Sequence, residues 1–274
     1  MKKNLILAFF TFILLIKILH GTTNYLIPIG HDTVFIRLDR INIITDPNWN
    51  SKDLFLHRLT PPPFPLTNLP SVDLVLISHG HFDHFDLETI KGIHKKNRNV
   101  RILLPKKLGY ILKKSGITNY RECLSDEEIR FRDLFIRTFQ AKHDGRRFLI
   151  DNTSLSLMYL IKGSRSIFFT GDTGYTNLFP VIGRNEKIDI AMIMIGQWSH
   201  MPNPVRSRHL QSDESVRVFK ELKAKFMLPV HYDTFPLGYG TGISSLELLL
   251  RTAESNKLRE RIWTKPFGTQ IIIK

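Results

Sequence analysis

Six consecutive residues constrain this chain more than any other feature: His79-Gly80-His81-Phe82-Asp83-His84, directly after the apolar run DLVLIS (73–78) and before a stretch that reads as a helix from about Asp86. Four side chains able to ligate a metal fall in six positions, a pattern that arises by chance in a chain of this composition roughly once in a thousand. An aliphatic run that stops at a polar cluster is a buried strand ending in a loop. Two-residue alternation sends His79 and His81 to one side, while Asp83 and His84 lie around the turn, so the spacing predicts two metal ions. Cys123 is the only cysteine, which excludes thiolate pairs and intrachain disulfides. Histidines and carboxylates must therefore hold any metal.

The rule "apolar run, then His or Asp" recurs at His143 in FQAKHDGRR, at Asp172 in FFTGDTGY and at His231 in PVHYDTF. Open α/β sheets gather ligands at the carboxyl ends of their strands, so these positions predict loops that converge on one site. The intervening sequence alternates β and α. A hairpin turns at Asp39-Arg40, strands are expected at RILLP (101–105) and in a hairpin over 129–140, and a helix near 107–114. SLSLMYLI, SIFFTGD, IDIAMIMIG and FMLPVH read as further strands. SDESVRVFKELKAK reads as an amphipathic helix with Ser212 as N-cap, and SSLELLLRTAESNK as a last helix before strands at RIWTK and TQIIIK. The prolines of LTPPPFPLTNLP forbid helix or central strand and make it a surface loop beside a site or a membrane. No linker divides the body, so residues 23–274 are read as one domain.

These residues together resemble the metallo-β-lactamase superfamily, and within it the N-acylphosphatidylethanolamine phospholipase D-like branch. The resemblance rests on HDT (31–33), TDP (45–47), PPP (61–63), VDLVLISHGHFDHFD (72–86), KHDGRR (142–147), FFTGDTGY (168–175), Ile195-Gly196, HLQSDESV (209–216) and HYDTFPL (231–237). It implies an α/β fold, a four-layer αββα sandwich, with two zinc ions per chain. By the same resemblance His79, His81 and His143 hold one ion, Asp83, His84 and His231 the other, and Asp172 bridges them. Gly196-Gln197-Trp198 and the LFLHRLT loop (54–60) depart from the branch pattern and bear on substrate choice.

Two zinc ions sharing a hydroxide would supply a nucleophile near neutral pH and stabilise charge on the attacked centre, which suits phosphodiesters, lactones and thioesters alike. Asp83 and His209 are read as catalytic, His209 by protonating a leaving group or bonding an oxyanion, and Arg146 or Arg147 as a holder of phosphate. Iron or manganese suits the same donors as zinc. The expected partners are a phospholipid or other phosphodiester substrate and a membrane surface. A lactonase-like or other small-ester hydrolase on the same site is the alternative, and a non-catalytic membrane-surface protein a third reading that bound metal would exclude. No basic stripe interleaved with aromatics marks a nucleic-acid surface.

The first 22 residues support the membrane reading. Leu5 to Ile16 are apolar apart from Thr11 and follow Lys2 and Lys3, the pattern of a secretory signal or membrane anchor. Lysines ahead of the apolar segment favour an N-terminus left in the cytoplasm and a body on the far side, so an anchored or exported protein with its catalytic domain outside the cytoplasm is expected. The formal charge is +14; removing Lys2, Lys3 and Lys17 leaves +11 on the body, which favours a negatively charged surface. The full-length chain is expected to sediment with membranes and a chain lacking residues 1–22 to be soluble and metal-loaded. Full-length protein recovered only in the soluble fraction with an intact N-terminus would contradict this.

Overall fold

The computed structural model describes residues 23–53, 56–147, 155–237 and 244–274; the expected leader, 1–22, lies outside them. The first half contains β1 (Tyr25–Gly30), β2 (Thr33–Leu38), β3 (Ile41–Thr45), a small hairpin of β4 (Lys52–Asp53) and β5 (Leu56–His57), then β6 (Leu74–Leu76), α1 (Leu87–Lys96), β7 (Arg101–Pro105), α2 (Gly109–Lys114) and β8 (Tyr120–Cys123). The second half contains β9 (Glu128–Phe131), β10 (Leu134–Gln140), β11 (Leu157–Lys162), β12 (Ser166–Phe169), α3 (Leu178–Asn185), β13 (Ile190–Met194), α4 (Asn203–Arg206), α5 (Ser212–Glu221), β14 (Phe226–Val230), α6 (Ser245–Ser255) and β15 (Ile271–Ile272).

Two mixed sheets result, ordered β15-β1-β2-β3-β6-β7-β8 and β14-β13-β12-β11-β10-β9. In the first, period-2 alternation divides each strand between two cores. Val34, Ile36, Ile43, Leu74, Leu76 and Leu103 join the core shared with the second sheet. Phe35, Ile44, Val75, Ile102 and Leu104 face the other way, where Ile90 and Ile93 of α1 and Ile111 and Leu112 of α2 cover them. On the second sheet Phe179 and Ile182 of α3, Val216 and Phe219 of α5, and Leu249 and Ala253 of α6 close the opposite side. The layers are thus helix, sheet, sheet, helix, the expected αββα sandwich.

Local chemistry explains the element ends. The β2–β3 turn falls at Asp39 and Arg40, both with positive φ, a conformation that matches the twist of a hairpin. Asp86 caps α1 by accepting from the backbone of Glu88 and Thr89, and basic residues close its last turn. Three readings need correction. Gln211, not Ser212, caps α5: its side chain and that of Glu214 form a reciprocal capping box, while the Ser212 hydroxyl donates to Gly196 O. RIWTK forms only a 3-10 turn at Arg259–Arg261 and a single bridge from Ile262 to Met227. β1, not expected from the sequence, pairs with β2 and β15.

The sheets are joined beneath their polar edge. Tyr159 of β11, fully buried, donates its hydroxyl to Ile77 O just past β6, at 2.8 Å, and Leu157 N donates to Ser78 O at 2.8 Å. Removing the phenol oxygen leaves a buried carbonyl without that donor, which costs on the order of 1–3 kcal/mol. Tyr159→Phe is therefore expected to lower the unfolding free energy by that amount, seen by circular dichroism as a lower urea midpoint with an unchanged slope; an unshifted midpoint would show that the bond carries no net stability.

Candidate metal centre

Every site residue leaves the same edge of the sandwich. β3, β6, β7 and β8 are mutually parallel, as are β12, β13 and β14, so the ends of β6, β12 and β14 deliver His79, Asp172 and His231 to matching levels. β10 lies antiparallel to β11, which is antiparallel to β12, so its end brings His143 to that edge too. Two close approaches complete the convergence. Gly80 N donates to Gly145 O at 3.1 Å, and a Cβ at Gly80 would lie 2.7 Å from that oxygen. Gly171 has φ +50° and would place a Cβ 2.5 Å from that of Ser78. A side chain at either position would push the His143 loop or the Asp172 turn away from the histidine cluster.

The predicted ligands fall into two sets around one carboxylate. His79 Nε2 lies 2.9 Å from His81 Nδ1, which is 3.3 Å from His143 Nε2. On the other side His84 Nε2 lies 3.5 Å from Asp83 Oδ2. Asp172 stands between them. Its Oδ2 is 3.4 Å from His84 Nε2, 3.8 Å from His143 Nε2 and 4.0 Å from His79 Nε2, and its Oδ1 is 3.1 Å from His231 Nε2. His209 Nε2 also reaches Asp172 Oδ2, at 3.4 Å.

The donor set fits a cation on the protonation of its imidazoles. His143 Nδ1 faces Arg208 O at 3.1 Å and His209 Nδ1 faces Val205 O at 2.7 Å. Carbonyls only accept, so Nδ1 carries a proton in both rings, and the buried His143 ring presents its Nε2 lone pair inward. His84 Nδ1 likewise meets Asp46 Oδ2 at 2.9 Å. Nitrogen lone pairs packed at about 3 Å repel unless a positive charge lies among them. Asp172 Oδ1, buried, meets His231 Nε2 at 3.1 Å but outside hydrogen-bond geometry. His, His, His and Asp, His, His around a shared carboxylate is a donor set that divalent ions of zinc, iron or manganese type accept.

Electrostatics point the same way. Burial lowers the His84 pKa, but Asp172 and Asp83 outweigh it and hold the imidazole well above its usual range. Burial would raise Asp172, yet His231 and His84 keep it well below the usual carboxylate range. His143 is pushed down to about 3 and His79 well below its ordinary value, in both cases mainly by burial. The pocket therefore selects neutral imidazoles on one side and demands positive charge on the other.

Sequence reasoning assigned no role to three residues that build this centre. Asp46, at the end of β3, accepts from Ser78 N at 2.7 Å and from the Ser78 hydroxyl, as well as from His84; Ser78 Oγ in turn lies 2.9 Å from His79 Nδ1. Asp46 thus props one imidazole of each set. Asp32, fully buried, lies 3.4 Å from His84 Nδ1, and burial pushes its pKa well above the usual carboxylate range. His31, also buried, lies 3.0 Å from Asp83 Oδ2. All three follow an apolar strand, the signal that found the others.

Two expectations about the rim are corrected. Arg147 does not face outward as a phosphate holder: it donates to Gly80 O and Phe85 O at 3.2 and 2.6 Å and lies 4.0 Å above the Phe82 ring, clamping the His79–His84 loop. Arg146 is paired with Asp144, which also binds Arg208 at 3.0 Å. The Gly196-Gln197-Trp198 departure has a structural use, since Trp198 stacks on His209 at 4.1 Å and 25°.

Comparison with known proteins agrees with this geometry. Residues 41–232 match the family model of the beta-lactamase superfamily domain. The chain is 31% identical over 230 residues to the N-acyl-phosphatidylethanolamine-hydrolyzing phospholipase D 1 of Caenorhabditis elegans, covering 77% of this chain and 64% of that protein. It is also 31% identical over 237 residues to an uncharacterized protein of Mycobacterium tuberculosis, covering 82% of this chain and 63% of that one. It therefore spans just under two thirds of the length of these relatives. A metallo hydrolase of the archaeon Ignicoccus hospitalis shares the fold with a TM-score of 0.72 at 19% identity, over 92% of this chain and 99% of that one. Converging strand ends, a histidine and aspartate centre and a family match over most of the body make this chain a member of the metallo-β-lactamase superfamily.

Proposed function

We propose that this protein is a dinuclear zinc phosphodiesterase that hydrolyses a glycerophospholipid headgroup at a membrane surface outside the cytoplasm. One observation carries the reading: two imidazole-rich donor sets share the buried Asp172 in a chain similar to an N-acyl-phosphatidylethanolamine-hydrolyzing phospholipase D. His79, His81 and His143 would hold one ion, Asp83, His84 and His231 the other, and Asp172 both. Ions held there supply activated water near neutral pH and positive charge for a phosphorus centre.

The chain's own residues do the rest. His209, fixed by Val205 O and by the face of Trp198, presents Nε2 to the centre, where it can hydrogen-bond the departing alkoxide or a developing oxyanion. The proline loop forms the rim: Leu59 N donates to Thr234 O at 2.7 Å, three residues past His231, and the Leu59 side chain is 54% exposed. Trp49 ties that loop inward, its indole donating to Phe64 O at 2.9 Å, while Asn48 beside it donates to Asp83 O at 3.0 Å. Trp49, Pro62, Pro63, Phe64, Pro65 and Leu66 line an open hollow of about 520 Å³. An apolar, proline-stiffened rim on a body of net charge +11 suits contact with an anionic lipid interface. Among the described residues no helix is long and apolar enough to cross a membrane, so attachment would come from this rim or the leader.

The metal-loaded protein is expected to cleave a glycerophospholipid diester, N-acylated phosphatidylethanolamine included, faster in micelles or bilayers than a soluble diester. His209→Ala should cut turnover by about 100-fold or more with metal content unchanged. Equal rates on both substrate forms would remove the lipid assignment, and rapid lactone turnover without diester cleavage would move it to small esters. Because Asp46 props both sets, Asp46→Asn should weaken metal binding by about 10- to 100-fold, measured by chelator competition. Unaltered affinity would show that Asp46 supports the fold alone.

A further inference from the structure

His31 stands in the turn between β1 and β2, at φ +53°. Its backbone is tied to the His231 segment from both ends: His31 N donates to Thr234 Oγ1 at 2.6 Å, and His231 N donates to His31 O at 3.0 Å. The ring lies against the His231 ring at 4.1 Å and meets the edge of Phe235 at 5.2 Å. These contacts fix its direction before any ligand is considered. They aim Nε2 at 3.0 Å from Asp83 Oδ2 and 3.2 Å from His84 Nε2, two atoms that are 3.5 Å from each other.

That triangle has the dimensions of one face of a coordination polyhedron. Donors about 2.1 Å from an ion are separated by about 3.0 Å along an octahedral edge and about 3.4 Å along a tetrahedral one. A hydrogen bond accounts for the triangle less fully, because one proton on His31 Nε2 can be directed at Asp83 or at His84 but satisfies both poorly.

From this geometry we propose that His31 is a direct ligand of the second metal ion, alongside Asp83, His84, His231 and the shared Asp172. The inference rests on the two-ion reading above and makes the centre unequal. Five protein donors would surround the second ion and four the first, so the open positions for water and substrate lie mainly at the His79, His81 and His143 side. A five-donor set of mixed nitrogen and oxygen also suits ions that accept five or six ligands.

The test uses two side chains of one shape. Glutamine at position 31 donates a hydrogen bond but ligates poorly; glutamate ligates but cannot donate. Both carry the same strain at positive φ. Full-length wild type, His31→Gln and His31→Glu are titrated with zinc by calorimetry, and bound metal is counted by mass spectrometry, without substrate. Wild type should bind two ions, and occupancy of the first site in each variant reports an intact fold. His31→Gln should weaken the second ion by more than about 100-fold, beyond what loss of a supporting hydrogen bond costs, and His31→Glu should retain it within about ten-fold. Retention of both ions by His31→Gln, or loss of the second ion alone in both variants, would overturn the ligand role; a wild type that binds a single ion would overturn the two-ion reading instead.

Discussion

A carboxylate buried where two sheets meet sets the terms for the rest of this structure. Asp172 is 3% exposed, and burying an anion without compensation would cost several kcal/mol. Compensation here comes from imidazoles brought by β6, β10, β14 and the segment before α5, all within 4.0 Å of its two oxygens. Those imidazoles crowd one another as strongly as they surround the aspartate. The arrangement balances only when positive charge lies among them.

The supporting network shows how the protein holds such a set in place. Four of the rings are fixed by an outward contact: His143 to Arg208 O, His209 to Val205 O, His84 to Asp46 and His79 to Ser78. Asp46 and Ser78 join the two halves, so neither set can rotate independently. Arg147 closes the loop from outside through Gly80 O and Phe85 O. Tyr159 and Leu157 pin the base of that loop to the second sheet. The active edge is thus rigid because the sandwich beneath it is cross-linked at the point where the histidines begin.

The site was legible in the sequence wherever one local signal sufficed. His79, His81, Asp83 and His84 are contiguous, and His143, Asp172 and His231 each follow an apolar strand. His31, Asp32 and Asp46 obey the same rule within HDT and TDP, but short polar residues after strands are also ordinary turn formers, and only their proximity to His84 and Asp83 distinguishes them. Arg146 and Arg147 were misread for a different reason. Their partners are Asp144 and two backbone carbonyls, and a carbonyl at residue 80 or 85 leaves no mark in the identity of the residue that carries it.

By itself the sequence determined the strand periodicity, the glycines at 80 and 171, the absence of thiolate ligands and the presence of the donors. Those properties depend on neighbours along the chain, where side-chain alternation and backbone preference act directly. Tertiary structure decided which donors lie within reach of one another, which nitrogen of His143 and His209 faces inward, that His209 is backed by Trp198 and that His31 lies against Asp83 and His84. These depend on contacts between residues up to about 200 positions apart, such as His31 with Thr234, and are fixed by sheet order and strand direction rather than by local composition.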